Sequence, residues 1–242
     1  MAAGFHHSGK LGDIVYGLAA VSAFEEAHFY VNANGAYMSP SAAQSILPLI
    51  RAQLYISEAD IWNSQPFDYN LDRFREFDIY HSNLADCHLQ AVGLPSSHRD
   101  RPWLSIDSPT RVKNRDVVFA RSLVHRGSPG IWEPIYAALG HRAFFIGLPT
   151  EHEAFVREIG QVPYVPTNNL LDVARLIAGS VLFVGNQSCP LAIAEAMKHP
   201  LIQEVYSAVP NCIFERPDCF PVWNADEIPQ VMSQLTESGV LD

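Results

Sequence analysis

Positive charge is scarce in this chain: 16 Lys and Arg stand against 26 Asp and Glu, for a formal net charge of −10 over 242 residues. Broad nonspecific binding to DNA or an anionic membrane runs on dense Lys/Arg patches, so both are disfavoured, although a local basic groove is not excluded. Cysteine is sparse too. Cys87, Cys189, Cys212 and Cys219 form no Cys-x-x-Cys pair, so no zinc spacing is present, and four are too few for a disulfide scaffold. Reduced thiols in a cytoplasmic protein are the expectation. No apolar run approaches the ~18 residues of a spanning helix. Phe5, His6, His7 and Ser8 interrupt any signal-peptide core, so no stable membrane insertion is expected.

The familiar nucleotide-binding signatures are also missing or incomplete. Gly4-x-x-x-x-Gly9-Lys10 has P-loop spacing, but the next residue is Leu11 where the loop needs a Ser or Thr hydroxyl for magnesium. Gly9-x-x-Gly12 lacks the first spacing of G-x-G-x-x-G, which disfavours a sugar-nucleotide epimerase or another dinucleotide-type enzyme.

What is present is alternation, within a composition that is 48% hydrophobic and 17% charged. Strands are expected at Gly4–Ser8, His28–Ala33, Glu58–Asn63, Leu104–Asp107, Asp116–Ala120, Ala143–Gly147, Val162–Val165, Val181–Val184 and Leu201–Val205. Helices are expected at Asp13–Glu25, Ser41–Gln53, Ile131–Leu139, Glu151–Ile159, Asn169–Ala178, Pro190–Lys198 and Asp226–Leu235, with a helical piece inside the aromatic stretch Phe67–Leu94. Short apolar strands alternating with such helices predict an α/β fold with parallel sheets covered on both faces. The polar stretch Ser108–Asn114 separates two such runs. The reading is two Rossmann-like halves, 1–111 and 112–242, facing a cleft at the carboxyl ends of their strands.

Four segments carry candidate chemistry. In VLFVGNQSCP an apolar strand runs into Asn186, Gln187, Ser188 and Cys189 and then a helix; free N–H groups and the helix dipole there suit a diphosphate, with Ser188 as cap and phosphate donor. A plain capped turn is the competing reading. In FARSLVHRGSPGIW, Arg121 and Arg126, with His125, follow a buried strand and are placed to neutralise a leaving diphosphate, unless they belong to a solvated loop. In GLPTEHEAF, Glu151 or Glu153 could hold ribose hydroxyls, although acidic residues suit a helix start in any case. In SGKLGD, Gly9 and Gly12 allow close backbone approach, and Asp13 is either a helix N-cap or a general base; His6 and His7 are alternative bases. Phe67, Tyr69, Phe74, Phe77 and Tyr80, with Arg73 and Arg75, line an acceptor side or belong to the core.

Together SGKLGDIVYGLAAV, TEHEAF, LLDVARLIAGSVLFVGNQS and the helix ending in His199-Pro200 resemble the ADP-heptose:lipopolysaccharide heptosyltransferases of glycosyltransferase family nine, with the GT-B fold. The likeness covers about half the chain and leaves roughly Asn34–Asn114 unmatched. It implies metal-independent, inverting transfer from a nucleoside-diphosphate sugar, with no further cofactor. It implies Asp13 as base, a cation near Arg121 or Arg126, and a ribose-binding glutamate at Glu151 or Glu153. The acceptor is a saccharide, lipid-linked or free, or another hydroxyl-bearing acceptor such as a hydroxylated DNA base. The Asp-x-Asp of the other major glycosyltransferase fold is absent. The family's Asp-Ser/Thr-Gly loop, with a His three residues later, is replaced by Gln187, Ser188, Cys189 and Ala192, and the chain is short for a GT-B enzyme. A non-catalytic nucleotide-sugar binding module is the alternative.

Overall fold

A computed structural model describes residues 2–241. Its two sheets are parallel throughout. The first contains β1 (Ala3–His7), β2 (Ala27–Val31), β3 (Ile56–Ile61) and β4 (Tyr69–Asn70), in the order β3-β2-β1-β4. The second contains β5 (Val117–Ala120), β6 (Ala143–Phe145), β7 (Leu182–Asn186), β8 (Leu201–Glu204) and β9 (Cys219–Val222), in the order β6-β5-β7-β8-β9. Most crossovers are helical, those from β3 to β4 and from β8 to β9 excepted: α1 (Leu11–Val21), α2 (Pro40–Arg51) and α3 (Leu84–Ala91) accompany the first sheet. The second carries α4 (Trp132–Leu139), α5 (Pro149–Glu158), α6 (Leu170–Ala178), α7 (Cys189–Ala196) and α8 (Ile228–Glu237).

Two of these helices have no polar face, and that decides the architecture. In α1 every residue from Ile14 to Val21 is buried, and in α7 every residue from Leu191 to Ala196. A helix that is buried all round needs cover on both sides. The two pack on each other, α1 also on α3 and α7 also on α6, β7 and β8, so one hydrophobic cluster runs from Phe5 and Phe29 through Ile14, Leu18 and Ile193 to Phe183.

Trp103 staples the pair. Its buried indole Nε1–H donates to the Val15 carbonyl of α1 at 2.9 Å, while its backbone N–H donates to the Ala196 carbonyl of α7, also at 2.9 Å. Leu104 N–H joins it on Ala196 at 3.1 Å. This explains one departure from the sequence reading. Leu104–Asp107 forms no strand, because its first amide closes the carboxyl end of α7 rather than pairing in a sheet. Likewise Val162–Val165 reduces to a single bridge, Phe145 with Tyr164. The strand β9 tolerates Pro221 because it lies at a sheet edge.

Trp103→Ala removes a filled core volume and the indole's bond to the Val15 carbonyl, while the backbone bond to Ala196 remains available. It should lower folding stability by about 3–5 kcal/mol in urea denaturation.

Candidate functional site

A cleft of about 1170 Å³ lies where the carboxyl ends of β1, β5 and β7 face one another. Helices α1 and α7 begin there, so their amino ends converge. A Cβ on Gly12 would lie 3.9 Å from the Cys189 amide nitrogen and 3.8 Å from its Cα. The missing side chain leaves the first amide of α7 uncovered from the side of α1.

Asp13 lines the cleft, half-buried. It is the third residue of α1 rather than its N-cap: Oδ2 accepts the Lys10 N–H at 3.0 Å, and Oδ1 takes no bond among the described residues. Lys10 is exposed at the same cleft. The turn that carries both is held from beneath. Asp72 accepts the Ser8 hydroxyl at 2.6 Å, the Ser8 N–H at 3.0 Å and an Arg75 N–H at 2.8 Å. Burial alone would raise the Asp72 pKa, but the His7 imidazole and the two Ser8 donors outweigh it and hold the carboxyl well below its usual range. Gly9 lies off the cleft and serves this turn. Its N–H donates to His7 Nδ1 at 2.9 Å, and a Cβ there would strike His7 and Asp13.

His7 is fully committed to structure. His88 Nδ1–H donates to the Leu84 carbonyl at 2.7 Å, which leaves its Nε2 to accept His7 Nε2–H at 2.9 Å. Burial, then the neighbouring His7, pushes the His88 pKa well below 6.5. His6 bonds Asn32 and Asn70 and stacks on Phe67. Neither His6 nor His7 lines the cleft, so the alternative bases are removed.

The strand-to-helix turn after β7 works through its backbone. Asn186 is fully buried; its Nδ2 donates to the Val124 carbonyl at 2.7 Å and its Oδ1 accepts the Ser122 N–H at 2.9 Å. Gln187 lines the cleft but its amide is spent on the Val209 carbonyl and the Tyr206 N–H. Ser188 departs from expectation: its hydroxyl donates to the Asn186 carbonyl at 3.1 Å and gives α7 no side-chain cap. The first-turn amides of α7 therefore depend on what enters the cleft. Burial pushes the Cys189 thiol up to about 12, with Asp13 adding to the shift, so it is protonated and unreactive at neutral pH.

Arg121 does not present a free cation. Its guanidinium is 1% exposed and forms a bidentate pair with buried Glu204, at 2.9 and 2.8 Å, and a further bond to Glu158 at 3.1 Å. Trp132 Nε1–H also donates to Glu204. Arg126 bonds Glu158 and the Ser122 carbonyl and lies outside the cleft lining. Arg121, Ser122, Val124 and His125 of this loop all line the cleft, and His125 is the one whose ring carries no ion pair among the described residues. It holds a left-handed backbone conformation with φ of 52°, unusual for a residue with a Cβ and common where a side chain is aimed at a site. Its pKa is lowered by burial and then by Lys10, and raised by Asp13, so the three groups share one field. The sequence reading passed over Lys10 with the P-loop and named His125 only beside the two arginines.

Glu151 lines the opposite wall, its Oε2 accepting the Leu148 N–H at 2.8 Å. Burial raises its pKa, opposed by the Leu148 amide and by Arg126. Glu153 is exposed and outside the lining. On the first-sheet side Tyr37, Phe74 and Tyr80 line the cleft, with the Arg75 guanidinium 4.7 Å from the Tyr37 ring and 4.5 Å from the Phe74 ring. Phe67, Tyr69 and Phe77 lie elsewhere, and Arg73 pairs with Glu76 on the surface. No three His, Cys, Asp or Glu side chains among the described residues converge to hold a metal ion. No helix among them is long and apolar enough to cross a membrane.

Solved structures share this fold. A family nine glycosyl transferase from Veillonella parvula superposes with a TM-score of 0.63 at 12% identity, over 96% of this chain and 88% of that one. The chain has the fold of the family nine glycosyltransferases. The E. coli heptosyltransferase WaaC, solved with ADP-2-deoxy-2-fluoro heptose, gives 0.59 at 12% identity, over 99% of this chain and 100% of that one. A Listeria monocytogenes protein assigned as a UDP-N-acetylglucosamine 2-epimerase gives 0.52 at 11% identity, over 99% and 89%. No protein-family model and no curated protein matches the sequence.

Two outcomes follow. Arg121→Gln leaves Glu204 buried and unpaired, and should cost about 3–5 kcal/mol of stability. Folding stability should also depend on pH through His88 and through His199, whose pKa burial, then Arg216, lowers to about 4. The unfolded chain takes up these protons near pH 6.5, whereas the folded chain refuses them until lower pH. Stability is therefore full above about pH 6.5 and declines toward pH 4, measured as a falling urea midpoint.

Proposed function

We propose that the chain is a glycosyltransferase that moves a sugar from a nucleoside diphosphate to an acceptor hydroxyl, with inversion. The observation that carries this reading is the convergence, in one cleft, of the Asp13 carboxylate and the uncapped amino end of α7. Asp13 takes the proton of the acceptor hydroxyl through the oxygen that α1 does not use. The hydroxyl oxygen bonds to the anomeric carbon as the bond to the diphosphate oxygen breaks on the opposite face. A single displacement of this kind inverts the anomeric centre.

The charge that grows on the departing diphosphate is met by the α7 amino end, by the Lys10 ammonium and by the His125 imidazole. In this account these groups, and not a metal ion, stabilise the leaving group; Arg121 and Arg126 act behind them by fixing the loop. Glu151 reaches the ribose hydroxyls from the far wall. The acceptor enters past Tyr37 and Tyr80, whose faces suit a saccharide ring. A DNA acceptor would call for a row of phosphate-binding cations, and Arg75 on that wall is already paired with Asp72.

The fold alone also fits an epimerase or a nucleotide-sugar binding module. Both are separated from a transferase by Asp13→Asn, assayed with ADP-, UDP-, GDP- and CDP-sugars. The substitution should lower turnover, including slow transfer to water, by ~10²-fold or more, while nucleoside diphosphate affinity stays within a few-fold. Unchanged turnover would remove Asp13 from the reaction. His125→Ala should lower turnover by about 10²-fold without weakening the fold.

A further inference from the structure

Tyr16 carries a hydroxyl that the protein leaves without a partner. The residue is 2% exposed, and its oxygen is buried without a hydrogen bond among the described residues. It stands one turn beyond Asp13 on α1, on the same helical face, and lines the same cleft. Its ring stacks on Phe214 with centroids 6.0 Å apart, which fixes where the hydroxyl points. The Cys212 thiol lies within reach of the hydroxyl but is a weak acceptor that makes no well-formed bond to it, and Cys189, which also acts on it, is the first residue of α7. Burial, then Cys212, raises the Tyr16 pKa well above 10, so the group is a proton donor at every working pH. Glu195, the one carboxylate of α7, is neutralised by Lys198 and Arg216 and does not repel an anion here.

A buried donor left unmet costs about 1–3 kcal/mol. The uncapped first turn of α7 presents further unmet donors beside it, with Pro190 contributing none. A ligand that satisfies both must be rich in acceptors and negatively charged. We propose that the Tyr16 hydroxyl donates to a phosphoryl oxygen of the bound nucleoside diphosphate, alongside the amino end of α7. Tyr16 is then a substrate-binding residue on the acceptor-side helix, so that α1 supplies both the base and one donor to the leaving group. This rests on the nucleotide reading of the cleft.

The test is Tyr16→Phe, which keeps the ring and its stacking. ADP, UDP, GDP and CDP, with the matching monophosphates and nucleosides, are titrated calorimetrically into both proteins, and the ligand-free melting temperatures are compared. The expected result is an unchanged or slightly higher melting temperature for Tyr16→Phe. Affinity for the preferred nucleoside diphosphate should fall about tenfold, with nucleoside affinity unchanged. If the wild-type protein binds a diphosphate and Tyr16→Phe binds it equally well, the proposal fails while the nucleotide site stands. A melting temperature several degrees lower would show the hydroxyl already bonded in the free protein, and would also overturn it. Failure of the wild-type protein to bind any of these nucleotides would overturn the site and the proposal together.

Discussion

Everything at the cleft depends on α1 lying against α7. Both helices are buried along most of their length, so each depends on the cover the other provides. That requirement joins the two sheets through one core and fixes the spacing of the two helix starts. The joint places a carboxylate three residues into one helix opposite the bare amides of the other. Gly12 keeps the gap open and Trp103 holds the far ends, hydrogen bonding one carbonyl of each helix.

Behind the cleft two polar networks hold the loops that reach into it. On the first side the hydrogen-bonded His7–His88 pair and ionised Asp72 fix the turn Ser8–Lys10. On the second, Arg121 with Glu204 and Asn186 with residues 122–125 fix the loop that ends in His125. Each uses buried polar groups whose bonds are satisfied internally, the arrangement that gives a loop one conformation rather than several. In the proposed reaction the ligand-facing groups are correspondingly few: Asp13, Lys10, His125, Tyr16, Glu151 and main-chain amides.

Much of this was legible in the sequence. Short runs such as VVFA, AFFIG and VLFV can only be buried strands, and the order of strand and helix gave the α/β fold and the GT-B resemblance. The Gly-Asp pair and the turn at GNQS marked the two sides of the cleft. Roles that depend on distant partners were not legible. Arg121 looks like a free cation until Glu204, 83 residues on, and Glu158 are seen around it. Asn186 and Gln187 look like ligand-binding groups until the loops they hold are in place. LADCHLQA is too short and mixed to give α3 bounds, although a helical piece is expected in its stretch, and CFPV hides an edge strand behind a proline. Lys10 was discounted with the motif it failed to complete, although its neighbour Asp13 was the informative residue.

The central claim is that nucleoside diphosphate binds where the two helix starts meet. Amide hydrogen exchange, with and without the tightest-binding nucleoside diphosphate, tests it directly. The account predicts slowed exchange in residues 8–13, 122–126 and 187–191, and no change around the separate surface pocket at His98–Ser105. Protection confined to other segments, with these three unchanged in the saturated protein, would contradict it.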